Sequence, residues 1–130
     1  MKFKIDTKEK FTVVVPLEST LYDNMAADLK NACLPFLEKE NKDIVLNMRE
    51  VDLVENEIVQ TLAELQQSFY DNNASFVICE VKQAVNTIFD EEEVSDTLNQ
   101  TPTESEAWDI VQMEEIEREL LDGDDFLSES

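Results

Sequence analysis

Residues 43–69 carry the pattern that most restricts the fold. Ile44, Val45 and Leu46 form a short apolar run of the kind found in a central strand with helices packed against it. Val51, Leu53 and Val54 then lead to a polar turn, Glu55-Asn56-Glu57. Beyond the turn, apolar residues recur at Ile58, Leu62, Leu65 and Phe69, spaced four, three and four, which is one face of a helix. Two acids and an asparagine at its start suit the positive end of the helix dipole, with Asn56 as the expected N-cap. The segment therefore reads strand, turn, helix.

The rest of the chain supplies elements of the same kind. Phe3 and Ile5 alternate with lysines, as on a short edge strand, and Phe11-Thr12-Val13-Val14-Val15 is a β-branched strand that Pro16 ends. These two form an antiparallel pair. The connection Leu17–Asp23 follows, in which Ser19, Thr20 and Asp23 are candidate caps for a helix bearing Leu21, Met25, Leu29, Ala32, Cys33 and Phe36 on one stripe. Pro35 disturbs the last turn of that helix. Ser75–Cys79 is a further buried strand, followed by a helix with Val81, Ala84, Val85, Ile88 and Phe89. Val94 and Leu98 supply either a last short strand or a packed loop. Thr103 and Glu106 have the spacing of a capping box. The helix they open carries Ala107, Ile110, Met113, Ile116 and Leu120 as one apolar face, widened by Trp108 and Val111, and Gly123 is its expected end. The order implies an α/β fold: a mixed sheet of four to five strands with a mainly parallel core, right-handed crossovers and about four helices.

The segment around Leu46 resembles the signature of the STAS family, the anti-sigma-factor-antagonist domains. In that family a strand reads apolar-Asp-apolar-Ser, and after a short connection Phe-Ile-Asp-Ser-Ser-Gly-Leu opens a helix. Here Leu46-Asn47-Met48-Arg49 stands for the strand motif and Leu53-Val54-Glu55-Asn56-Glu57-Ile58-Val59 for the helix start. Cys79–Val85 is similar to the family's later strand-to-helix step, and Glu106-Ala107 falls where members often begin the last helix with Glu-Ala. The resemblance runs over about residues 1–121, a single domain, with 122–130 as an acidic tail.

The resemblance implies a non-catalytic regulatory module that binds an anti-sigma factor or a related kinase-like partner. In switching members the second serine of Asp-Ser-Ser-Gly is phosphorylated by that partner. In this chain the aspartate position is Glu55, the first serine Asn56, the second Glu57 and the glycine Ile58. Phosphorylation in the family's manner is therefore lost at Glu57. The glutamate either imitates the phosphorylated state in part, with one charge against the roughly 1.5–2 of a phosphate, or serves as an ordinary first-turn acid. By resemblance the binding face comprises Glu55, Asn56, Glu57 and Ile58 with Ser19, Thr20, Tyr22 and Asp23.

Charge bears on the partner. Thirty-one acids against ten bases give a formal charge of -21, which repels nucleic acid and anionic membranes and favours a partner with a basic face. From Asp90 onward there are sixteen acids and one base, Arg118. That third of the chain reads as a solvated acidic surface or as a docking surface steered by charge. An alternative function follows from the same observation: an acidic decoy or inhibitor occupying the basic, nucleic-acid-binding surface of another protein.

Catalytic and cofactor signatures are missing from the sequence. There is no histidine, no Cys-x-x-Cys pair and one glycine, so zinc, histidine-based catalysis and glycine-rich phosphate loops lose their usual residues. No metal, no cofactor and no enzymatic activity are expected. Cys33 and Cys79 lie in apolar runs and read as small buried hydrophobes. The start Met1-Lys2-Phe3-Lys4-Ile5-Asp6 has no signal-peptide core, and no apolar run reaches the roughly 18 residues of a membrane span, so a cytoplasmic location is expected.

Overall fold

The computed structural model describes residues 1–121. Its elements are β1 (Phe3–Thr7), β2 (Thr12–Pro16), β3 (Thr20–Leu21), α1 (Ala26–Cys33), β4 (Ile44–Asn47), β5 (Leu53–Val54), α2 (Asn56–Asp71), β6 (Phe76–Cys79), α3 (Gln83–Glu91), β7 (Gln100–Thr101) and α4 (Glu104–Glu129). The helix end expected at Gly123 and the acidic tail at 122–130 lie outside the described residues.

Five strands form one sheet in the order β1-β2-β4-β6-β7, antiparallel at β1–β2 and parallel elsewhere. The register explains why the central strands are apolar on both faces. Val13, Val45 and Val77 stand side by side, and so do Val14, Leu46 and Ile78 one residue on. Successive side chains point to opposite faces, so the two rows enter two different cores. The Val14 row packs under α1, α2 and α3 against Leu29, Ile58, Leu62, Phe69, Val85 and Phe89. The Val13 row, with Phe11, Val15 and Cys79, packs under Ala107 and Val111 of α4. A strand covered on both faces cannot show polar alternation, hence the unbroken run Ile44-Val45-Leu46. Phe69 and Phe76 pack tilted with ring centroids 5.3 Å apart. Full burial of a side chain of this class contributes about 1.5–3 kcal/mol.

The helix ends are built without glycine. Asn73 (φ 58°) follows α2 and Glu93 (φ 61°) follows α3, both in the left-handed region. In each case the next amide reaches back to close the helix: Ala74 N–H to Phe69 O at 2.8 Å, and Val94 N–H to Phe89 O at 3.0 Å. This 6→1 closure normally takes glycine, and with one glycine in the chain asparagine and glutamate fill the position.

Two expectations change and one alternative is settled. Leu21 is not on the first helical stripe. It lies in β3, a 3-10 turn (Asp23–Met25) intervenes, and α1 starts at Ala26. Pro35 sits at the start of a 3-10 segment (Leu34–Glu38) that replaces the last turn of α1, since its ring clashes with a continued helix. Val94 and Leu98 are buried in the connection after α3, and the closing strand is Gln100–Thr101.

Candidate partner-binding face

β3 and β5 form a separate two-stranded parallel ribbon pairing Thr20 with Leu53 and Leu21 with Val54. Ser19 O accepts the amide hydrogens of Asp52 (2.7 Å) and Leu53 (3.1 Å), and Leu21 O accepts that of Glu55 (2.9 Å). Leu21 and Val54 point inward and are buried. Alternation then turns Thr20 and Leu53 outward. Tyr22 and Glu55 keep extended backbone (ψ 157° and 165°), which places them outward as well. Tyr22 and Leu53 are each 50% exposed.

The ribbon delivers the chain to the tip of α2, where two carboxylates cap in a crossed arrangement. Asp23 Oδ1 accepts the Glu57 amide hydrogen at 2.9 Å, and Glu55 Oε1 accepts the Asp23 amide hydrogen at 2.7 Å. Each acid thus satisfies an orphan donor at the start of the other's helical segment. Asn56 is not the N-cap. That position is Glu55, Asn56 is the first helical residue, and the capping oxygen comes from Asp23. Ser19, Thr20 and Asp23 do not cap α1, because the 3-10 turn separates them from it and no side-chain bond is made there.

Most of the expected site residues come together on this surface. Ser19, Tyr22, Asp23, Glu55, Asn56 and Glu57 are exposed and Thr20 is half-buried. Ile58 is the exception: it is fully buried among the core residues, so it anchors the tip from below and is not available to a partner. Asp23, Glu55 and Glu57 form no ion pair among the described residues, whereas Asp52 beside them is paired with Lys82 at 2.6 Å. The Thr61 hydroxyl donates to Glu57 O (2.8 Å) and is buried, which removes it as a modifiable group.

A second polar cluster, which reading the sequence missed, sits at the carboxyl ends of β4 and β6. Asn47 is fully buried; its Nδ2 donates to Glu80 Oε2 (2.6 Å) and Glu104 Oε1 (3.1 Å), and its Oδ1 accepts the Arg49 amide hydrogen (3.0 Å). Glu80 adopts φ 54° to reach it. The signal was the one polar residue closing an apolar strand, since a buried amide must find partners. Burial pushes the neighbouring Cys79 thiol up to about 12, with Glu80 and Glu104 adding to the shift. Cys33, buried in the other core, is pushed equally high by desolvation.

The mixed α/β fold is reproduced in known proteins. A STAS-domain model matches residues 2–107. The chain belongs to the STAS family. Among solved structures, an anti-sigma factor antagonist from Mycobacterium paratuberculosis superposes with a TM-score of 0.74 at 14% identity, covering 85% of this chain and 93% of that one. A serine-to-glutamate variant of RsbS from Moorella thermoacetica gives 0.71 at 16%, covering 86% and 96%. The murine anion transporter Solute Carrier 26 member A9 gives 0.68 at 13%, covering 80% of this chain and 18% of the transporter. At these identities the likeness is one of fold. No curated protein matches the sequence. No helix among the described residues is long and apolar enough to cross a membrane.

Proposed function

We propose that this STAS domain, residues 1–121, is a non-catalytic cytoplasmic module that binds a regulatory protein, an anti-sigma factor or a related kinase-like partner. The contact face is the outer side of the ribbon and the α2 tip: Ser19, Thr20, Tyr22, Asp23, Leu53, Glu55, Asn56 and Glu57. The observation that carries the reading is the pairing of half-exposed Tyr22 and Leu53 with exposed carboxylates on the surface that leads into α2. An aromatic and an aliphatic anchor beside charged groups is the composition of a protein contact. Glu57 holds a permanent negative charge where switching relatives carry a modifiable serine, so the module stays in one binding mode. A serine-to-glutamate variant of RsbS shares this fold, which supports tolerance of such a substitution within it.

The test is calorimetry of the purified protein against the anti-sigma kinases of its own genome, with Glu57→Ser and Tyr22→Ala alongside. Both variants are expected to change affinity about tenfold or more, and Glu57→Ser to regain phosphorylation by the partner. Affinities unmoved by both substitutions, or no binding by any such kinase, would overturn the reading. Competition of a DNA-binding protein's DNA by this chain would instead favour the acidic-decoy alternative.

A further inference from the structure

Between Val111 and Leu121, α4 is amphipathic the wrong way round. Ala107 and Val111 are fully buried against the sheet. The same helical face continues through Glu114 and Arg118, three and seven residues beyond Val111. Glu114 Oε2 accepts from Asn99 Nδ2 at 3.0 Å, and Arg118 donates to Ser75 Oγ at 3.3 Å and lies 3.5 Å from Asp43. The polar residues therefore meet the body of the domain. Met113, Ile116 and Leu120, spaced three and four, are left on the outer face at 55%, 54% and 61% exposure. Single exposed apolar side chains need no explanation, but a row of three at helical spacing is a contact surface without a partner.

Charge selects the occupant. Asp109 lies at the amino-terminal end of the row, Glu106 and Glu117 flank one side and Glu119 the other, and all four are exposed. None of them is in an ion pair among the described residues. Arg118, the one basic residue of α4, is turned inward to Asp43. A second copy of α4 would set carboxylate rows against carboxylate rows, which is repulsive.

We propose that the Met113–Ile116–Leu120 row of α4 is a docking surface for an amphipathic helix of a partner protein whose apolar stripe is bordered by lysine or arginine. The partner's apolar side chains lie along the row and its cations meet Glu106, Asp109, Glu117 and Glu119. This surface is separate from the α2 tip and does not depend on the function proposed for it.

The test uses the full chain and two synthetic probes of about five helical turns, a Leu/Lys amphipathic peptide and a Ser/Lys peptide of equal charge. Calorimetry should show the Leu/Lys peptide binding one to one and at least about tenfold more tightly than its polar counterpart, since several apolar side chains become buried. In Ile116→Ser/Leu120→Ser, which changes exposed positions and no charge, that preference should disappear. Equal binding of the two peptides to the native chain, or a preference that survives in the variant, would overturn the proposal. So would sedimentation equilibrium showing a native dimer that the variant converts to monomer, because the row would then be covered by a second copy.

Discussion

Asp23 Oδ1 lies 2.9 Å from the Glu57 amide nitrogen, so the acid that caps α2 belongs to a segment 34 residues earlier in the chain. The bond ties the first connection to the helix tip and fixes the position of the Tyr22–Leu53 surface relative to Glu57. Asp23→Ala should lower stability by about 1 kcal/mol, the usual cost of a lost N-cap, seen as a shifted urea midpoint with an unchanged slope. Asp23→Asn keeps an accepting oxygen and should restore most of the loss. A ribbon that depended on β3–β5 pairing alone would leave both variants at the native midpoint.

Asp43 gives the domain a pH response. It is 4% exposed at the start of β4. Burial raises its carboxyl most, and a hydrogen bond with the Glu115 carboxyl adds to this. The Ser75 amide and Arg118 oppose the rise, and the outcome is a shift from 3.8 to about 7. The other charged groups around the same depression are Glu40 and Lys42 on the preceding loop and Glu119 on α4. The unfolded chain gives up this proton near pH 4 and the folded chain near pH 7, so between those values the folded state binds more protons. Stability should therefore fall as pH rises from about 4 to about 7 and level off above, as far as this group is concerned. Asp43→Asn still offers an acceptor to Ser75 and carries no charge. It should flatten that part of the curve, measured as urea midpoints across the range. A variant with the native slope would assign the pH response to the overall charge instead.

Much of the fold was legible because its signals are local. Ile44-Val45-Leu46 and the Ile58–Phe69 stripe each state their element within one window, and Thr103 does accept the Glu106 amide hydrogen as the capping-box spacing implied. What escaped was set by partners distant in sequence. β3 and β5 are two residues each, too short for any alternation, and exist because they pair across 33 positions. The Asp23 cap and the Asn47 cluster are long-range for the same reason. α4 shows a different limit. Periodicity finds an apolar row but does not say which row meets the sheet, and Ala107 and Val111, small enough for close approach over Val45, Val77 and Cys79, prevailed over the larger Met113, Ile116 and Leu120. At the candidate site the family pattern named residues that the fold brings onto one surface, but burial removed Ile58 from it.

Glu93 offers a stabilising substitution. A glutamate at φ 61° bears the cost of placing Cβ against its own backbone, on the order of 1 kcal/mol. Its side chain is exposed. Glu93→Gly removes that strain at the end of α3 while leaving the Val94–Phe89 bond in place, and should raise the melting temperature by several degrees. Asn73→Gly at the end of α2 should gain less, because asparagine tolerates the left-handed region better. An unchanged or lower melting temperature for Glu93→Gly would mean that the added freedom of the unfolded chain outweighs the relieved strain.

Asn47 occupies the position where the family's strand motif has aspartate, and its neighbours show why an amide suits this chain. Its Nδ2 is the common donor to Glu80 Oε2 and Glu104 Oε1. An aspartate there would place a third carboxylate against two others, fully buried and with no donor between them. Asn47→Asp should therefore destabilise the domain by about 2 kcal/mol or more at pH 8, and by less at pH 5, where one shared proton restores a donor. The side-chain oxygen that accepts the Arg49 amide hydrogen is kept in both the asparagine and the aspartate, so the loss isolates the amide hydrogens. The triple variant Asn47→Asp/Glu80→Gln/Glu104→Gln supplies donors from the opposite side and should recover most of the stability at pH 8. Failure of that rescue, with native-like behaviour of Glu80→Gln/Glu104→Gln alone, would show that Asn47 is required for its shape and not for the hydrogen bonds it gives.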